Sequence, residues 1–296
     1  MQVTITSYLD YQSANLLEQI NLIKELKLKT IPLRFIDGKS LLECDVNVIE
    51  QLVTFLKEEK VKVCSFDPDL SGYSIYQPAE IAKFKENWTT ALNLALTLKS
   101  EAIYYQIPIF DDVINELSII KELIYDDCLK AKQKKIKVVL KFNQHYKTNT
   151  YFYLITHLKD LNLSVEFDPA FIYQNKESLT ATYRIFRNHF GYLRCEDIDK
   201  DGLGRLIGYG ELEWMIFFKK LFKQNYKGYL ILDLKLIDNI LGVKEKTSRF
   251  QKLRKAYRKK LKIQYDLITR IGSEEAGEII KQQLQVLNLV FYNKKD

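Results

Sequence analysis

Proline and glycine are scarce in this 296-residue sequence, at 5 and 11, and there are only 4 cysteines, 3 histidines and 2 methionines. So little proline and glycine excludes collagen-like, mucin-like and low-complexity chains, whose backbones depend on those residues. No apolar stretch approaches the length needed to cross a bilayer, which excludes a helical membrane protein. The first residues, Met1-Gln-Val-Thr-Ile-Thr-Ser, have neither the basic nor the apolar region of a secretory signal, so a cytoplasmic location is expected. Cys44, Cys64, Cys128 and Cys195 are widely spaced, form no Cys-x-x-Cys and sit in or beside apolar runs, so they read as buried thiols rather than as disulfides or a zinc site. Neither a Gly-x-Gly-x-x-Gly after the first strand nor a Gly-x-x-x-x-Gly-Lys-Ser/Thr occurs, so dinucleotide and P-loop binding have no support.

What is present is a globular chain. Its residues are 47% hydrophobic and 28% charged, over a length that can bury the core of one large α/β domain with or without an appendage. The formal net charge of +7 is unevenly placed: residues 241–296 hold 14 Lys+Arg against 6 Asp+Glu, while residues 1–240 hold 31 against 32. The chain reads as a near-neutral body, 1–240, followed by a basic extension, 241–296.

Through the body, short β-branched or apolar runs alternate with longer segments of helical period. Strands are expected at Val3–Tyr8, Thr30–Phe35, Lys62–Phe66, Ala102–Ile107, Lys137–Phe142, Ser164–Phe167, Gly191–Cys195 and Tyr229–Asp233. Helical stretches lie between them, and eight such units spaced by roughly 25–30 residues point to an α/β (β/α)8 TIM barrel rather than an open doubly wound sheet. In such a barrel, chemistry sits where strands end, at the carboxyl face. The strand ends supply Arg34 and Asp37, Asp67 and Asp69, Gln106, Asn143 and His145, Asp168, Arg194 with Asp197, and Asp233 with Lys235.

Five segments carry a resemblance: Ile31-Pro-Leu-Arg-Phe-Ile-Asp-Gly-Lys, Phe167-Asp-Pro-Ala-Phe, Tyr192-Leu-Arg-Cys-Glu-Asp, Gly208-Tyr-Gly-Glu-Leu and Gly228-Tyr-Leu-Ile-Leu-Asp. In order and spacing, over about 1–235, they resemble the sugar-phosphate isomerase/epimerase family of xylose-isomerase-like barrels. The resemblance implies a barrel that holds a divalent metal with Glu, Asp, His and Glu at the ends of its last four strands, the two Glu also moving a proton beside a sugar carbonyl. Here the Asp is Asp168, the His falls on Arg194, and the last Glu becomes Asp233. The first falls on Phe142, or on Lys141 if the register slips by one, with Asn143 retained. A strand-two Glu falls on Pro32, although Arg34 is kept.

Two carboxylates and a guanidinium cannot hold a catalytic cation, which needs about three or four anionic or imidazole ligands. No metal or other cofactor is therefore expected. An arginine fork suits bidentate pairing with carboxylates, so the expectation is an Asp168–Arg194–Asp233 ion network where the family keeps its metal. These three are the candidate catalytic residues; Arg34, Asn143, His145, Arg205 and Lys235 are the candidate ligand-binding ones. The function expected is binding of a carbohydrate-type small molecule at the carboxyl face, with or without isomerase activity. His145 also reads as a solvent-facing loop residue, and His157 and His189 as surface or packing residues on helices. Lys141 reads as part of a polar outer face or an ion pair, with a Schiff-base role as the sharper alternative. The glycine-rich run from Asp201 to Gly210, which contains Arg205, reads equally as a phosphate-binding loop and as a plain connection.

In the extension, Phe250, Leu253, Tyr257, Leu261 and Ile268 recur at helical spacing with Lys and Arg on the other faces. Ser273-Glu-Glu resembles the start of another helix, carrying Ile279, Ile280, Leu284, Leu287 and Val290. Basic helices suit a nucleic-acid phosphate or another anionic partner, the alternative function of a noncatalytic binding protein. Nucleic acid is disfavoured because no aromatic stacking platform accompanies the charges. No membrane partner is expected, and a homo-oligomer is left open.

Overall fold

The computed structural model describes residues 2–11, 14–234 and 276–292. Strands and helices alternate: β1 (Gln2–Ser7), α1 (Leu16–Glu25), β2 (Thr30–Leu33), α2 (Val46–Glu58), β3 (Lys62–Phe66), α3 (Pro78–Thr97), β4 (Ala102–Tyr105), α4 (Leu117–Gln133) and β5 (Lys137–Leu140). The order continues with α5 (Thr148–His157), β6 (Ser164–Phe167), α6 (Pro169–Gln174), α7 (Leu179–Phe186), β7 (Phe190–Cys195), α8 (Trp214–Lys223), β8 (Lys227–Leu232) and α9 (Ala276–Tyr292). The strands pair in the order β1-β8-β7-β6-β5-β4-β3-β2, all in parallel. At the seam between the two ends of that order, Thr6 Oγ1 on β1 donates to the Thr30 carbonyl of β2 at 2.6 Å. The sheet is a nearly closed (β/α)8 barrel, as the sequence alternation implies.

Side-chain parity divides the interior in two. Alternate residues such as Ile103, Tyr105, Val138, Leu140, Val165, Phe167, Leu193 and Leu230 face outward and form one core with the helices. The other parity fills the lumen, where Tyr8, Ala102, Tyr104, Val139, Tyr192 and Ile231 form a separate cluster with Tyr229 packed against it. Tyr192 stacks on Tyr229 at 5.3 Å between centroids and meets Tyr104 edge-on at 6.3 Å. The lumen floor is therefore aromatic.

Helix ends explain how so little glycine suffices. After α1, α2, α3 and α4 the chain turns through Lys27, Lys60, Lys99 and Lys135, all in the left-handed region at φ 51°, 55°, 51° and 60°. In each case the next amide reaches back to close the turn: Leu28 to the Ile23 carbonyl, Val61 to Leu56, Ser100 to Ala95 and Ile136 to Ala131, at 2.9–3.0 Å. Glycine is the usual occupant of this position because it has no Cβ to strain. At the start of α1, by contrast, the local chemistry is ordinary: Asn15 and Glu18 form a reciprocal capping box.

Helix α9 takes the eighth helical place, against β1 and β8. Ile279, Ile280, Leu284, Leu287 and Phe291 join the outer core, Phe291 packs on Phe218 and Phe222, and the Tyr292 hydroxyl donates to the Val3 carbonyl. The expected division at residue 240 and the basic stripe of Phe250, Leu253, Tyr257, Leu261 and Ile268 lie outside the described residues. No described helix is long and apolar enough to cross a membrane. Cys64, Cys128 and Cys195 are buried thiols and Cys44 is half-buried; none is in a disulfide.

Candidate functional site

A charged layer caps the aromatic floor at the carboxyl mouth. Asp10, Arg34, Asp67, Lys141, Glu166, Asp168, Arg194, Glu196 and Asp233 follow the lumen parity, Glu166 and Arg194 within their strands and the others just beyond the strand ends, and ion pairs join them into two groups. The larger is built on Arg194. Its Nε donates to Asp233 Oδ2 at 2.8 Å, and its Nη2 contacts the same oxygen. Nη1 points between Asp168 Oδ2 at 3.5 Å and Glu166 Oε2 at 3.7 Å, and Glu196 Oε2 lies 4.0 Å from Nε. Asp233 is shared with a second guanidinium: Arg34 donates from Nη1 to Asp233 Oδ2 at 3.1 Å while gripping Asp10 in a bidentate pair at 2.7 and 2.9 Å. The Arg34 guanidinium lies 4.1 Å over the Tyr8 ring. In the smaller group, Lys141 Nζ donates to Asp67 Oδ2 at 2.6 Å.

Burial and partners set the protonation of this layer. Loss of water opposes charge on Arg194, but Asp233, Glu166, Asp168 and Glu196 outweigh it and hold the guanidinium well above its ordinary value. The same balance, with Asp233 and Asp10, applies to Arg34. At Asp67, burial is overcome by the Lys141 ammonium and the carboxyl is lowered. Glu166 goes the other way: burial raises it, with Arg194 only partly opposing and Asp168 adding to the rise. Its Oε1 accepts from Tyr104 OH at 2.8 Å, so Glu166 links the charged layer to the tyrosine floor.

The structure brings Asp168, Arg194 and Asp233 together with Arg34, and adds Glu166, Glu196 and Asp10, which the strand-end inspection did not single out. Their signal was parity, since Glu166 is two residues from Asp168 and Glu196 two from Arg194. Asp168 also caps α6, accepting from the Phe171 amide at 2.9 Å. Asn143 is buried, its Nδ2 has no partner among the described residues, and its Oδ1 accepts from the exposed His145 amide at 3.0 Å. His145 itself does not reach the charged layer through any contact described here. Arg205 pairs with Asp199 inside a short hairpin, Asp197–Ile198 with Gly204–Arg205. Lys235 lies outside the described residues. Asp37 is a turn residue, paired with Gly38 at φ 53° and 69° in the hairpin that follows β2.

The structure decides two alternatives that the sequence left open. Lys141 takes the ion-pair reading and not the outer face: it projects from the lumen side onto Asp67, while Phe142 faces outward among Tyr151, Phe171 and Phe186. The glycine-rich run does not present its amides to an outside anion. They turn inward onto the fully buried Asp197, which accepts from Gly208 at 2.8 Å, Gly210 at 3.0 Å and Leu212 at 3.3 Å as well as from Ile198 at 2.9 Å. A Cβ at Gly210 would stand 2.2 Å from Asp197 Oδ1, so glycine there is required by close approach.

Solved structures of the same shape decide the fold. D-psicose 3-epimerase, in a structure with D-fructose, is 14% identical over 98% of this chain and 99% of that one, with a TM-score of 0.65. A xylose isomerase domain protein from Planctomyces limnophilus is 14% identical over 91% and 97%, at 0.65. The chain folds as a TIM barrel of this shape. The 3-keto-D-glucoside 4-epimerase of E. coli has the same barrel, at 17% identity over 90% of this chain and 99% of that one, with a TM-score of 0.62. At these identities the likeness is one of fold. The sequence matches no protein-family model and no curated protein.

The divalent metal that the resemblance implies does not fit this barrel. Of the four strand-end positions, two carry cations, Lys141 and Arg194, and the other two are Asp168 and Asp233. The Arg194 guanidinium stands within 4.0 Å of Asp168, Asp233, Glu166 and Glu196, where a metal would have to stand. Among the described residues no three His, Cys, Asp or Glu side chains are grouped so that they could hold a metal ion.

Proposed function

We propose that this protein binds a carbohydrate-type small molecule at the carboxyl mouth of its barrel. The observation that carries the reading is the charged layer itself: buried donors and acceptors sit over an aromatic floor at the end of the barrel where such folds place their ligands. A cavity of about 940 Å³ is lined by residues of the connections after β5, β6 and β7, among them Gln144, Tyr173, Gln174 and Lys200. An exposed aromatic ring beside side-chain amides suits a polyhydroxylated ligand, whose hydroxyls need donors and acceptors and whose ring faces are apolar. The solved epimerases of the same fold support a sugar as the class of ligand. Asp233 is shared by two guanidiniums, which makes it an ion-pair partner rather than a base for isomerase or epimerase chemistry.

The test is a thermal-shift and saturation-transfer survey of the full chain against monosaccharides, sugar phosphates, nucleotides, amino acids and heparin. A response confined to sugars or their phosphates is expected, abolished by Asp168→Ala. A response only to heparin or nucleotides would replace this reading with a polyanion-binding one.

A further inference from the structure

The charges at the mouth do not balance. Six carboxylates (Asp10, Asp67, Glu166, Asp168, Glu196 and Asp233) have side chains no more than 13% exposed, against three cations, Arg34, Lys141 and Arg194. Even with a proton on Glu166 the layer stays anionic. A phosphate placed among them would meet like charge with few donors left to offset it, since Arg34 is committed to Asp10 and Asp233 and Lys141 to Asp67.

One donor is differently placed. Arg194 spends Nε and Nη2 on Asp233, but the contacts of Nη1 with Asp168 and Glu166, at 3.5 and 3.7 Å, are longer than a charge-assisted hydrogen bond of about 2.7–2.9 Å. At those lengths Nη1 forms ion pairs with both acids but no hydrogen bond, so it keeps the capacity to donate to an oxygen placed beside it. Nη1 would donate to it, and Asp168 Oδ2 would accept from the next hydroxyl along. A neighbouring pair of sugar oxygens has that donor–acceptor pattern. Resting on the carbohydrate reading above, we infer that Arg194 is the resident cation of this centre: its guanidinium does the orienting work of a divalent ion, and with Asp168 it clamps the adjacent oxygens of a neutral sugar without metal. The protein then ignores divalent cations and rejects phosphorylated sugars.

Titration of the full chain with neutral hexoses and ketohexoses, including D-fructose, and with the matching hexose phosphates tests this, each in EDTA and again in MnCl2. Metal content is measured by mass spectrometry on the same samples. The expected result is binding of a neutral sugar in EDTA, unchanged within twofold by manganese, at least tenfold tighter than its phosphate, with no stoichiometric metal. Arg194→Lys keeps the charge but cannot span both carboxylates, and should weaken the sugar at least tenfold. If that variant does not fold, Asp168→Asn, whose amide oxygen can still cap α6, should show the same loss. Binding only of phosphates, or only with manganese bound, overturns the inference while the carbohydrate reading stands. No binding of any sugar overturns both.

Discussion

Glu166 is 3% exposed, holds Tyr104 on one oxygen and has Arg194 3.7 Å from the other. Because burial raises its carboxyl above the ordinary 4.5, the folded state prefers the proton more than the unfolded chain does. The stability this contributes is complete below the ordinary glutamate value and is lost as pH rises through the folded one. Glu166→Gln cannot ionise and keeps an oxygen for Tyr104. Relative to the natural chain it should therefore gain stability between pH 5 and pH 8, read as urea midpoints at the two pH values. An offset that stays constant would make Glu166 an ordinary ionised partner of Arg194. The candidates at residue scale were legible in the sequence where a strand-end motif carried them, as at Asp168, Arg194 and Asp233. Glu166 was not, because a buried acid in the middle of a short strand, Ser164–Phe167, looks like any other strand residue until the lumen side is known. The same unknown parity left Lys141 and Phe142 interchangeable.

The elements were the most legible part, because eight apolar runs separated by helical periods leave few other ways to bury a core. The exceptions are informative. The amphipathic spacing of Ile279, Ile280, Leu284 and Leu287 shows a helix, but spacing along a helix does not say that β1 and β8 are what it covers. Helix ends were also obscured, since five turns that ordinarily hold glycine hold lysine, the fifth being Lys176 after α6. A left-handed residue with a Cβ costs roughly 1–2 kcal/mol, and glycine gives back about 0.5–1 kcal/mol of that through its greater freedom when unfolded. Replacing Lys27, Lys60, Lys99 and Lys135 together by glycine should thus stabilise the protein by about 2–4 kcal/mol if each site contributes independently. Urea unfolding followed through the buried Trp88 and Trp214 measures it. No gain would mean that the lysine stems make contacts worth as much as the strain.

At the scale of the whole molecule, the lumen and its surrounding core are unusually rich in buried phenols. Tyr8, Tyr73, Tyr104, Tyr105, Tyr151, Tyr192 and Tyr226 are all buried, and burial is the first cause that raises each above the ordinary 10.0. Raised phenols stabilise fully below pH 10 and lose that contribution as pH climbs toward their folded values, because the unfolded chain gives up its protons first. Each removes about 1.4 kcal/mol per pH unit over that interval. Seven acting together would consume a typical stability of about 5–15 kcal/mol within one or two pH units. The fold should therefore collapse abruptly on the alkaline side, with tyrosinate absorbance and the loss of far-ultraviolet circular dichroism rising in one steep, coincident transition. If absorbance instead rose gradually while the dichroism held, water would be reaching the lumen, and the tyrosine floor could not be the dry base on which the charged layer at the mouth depends.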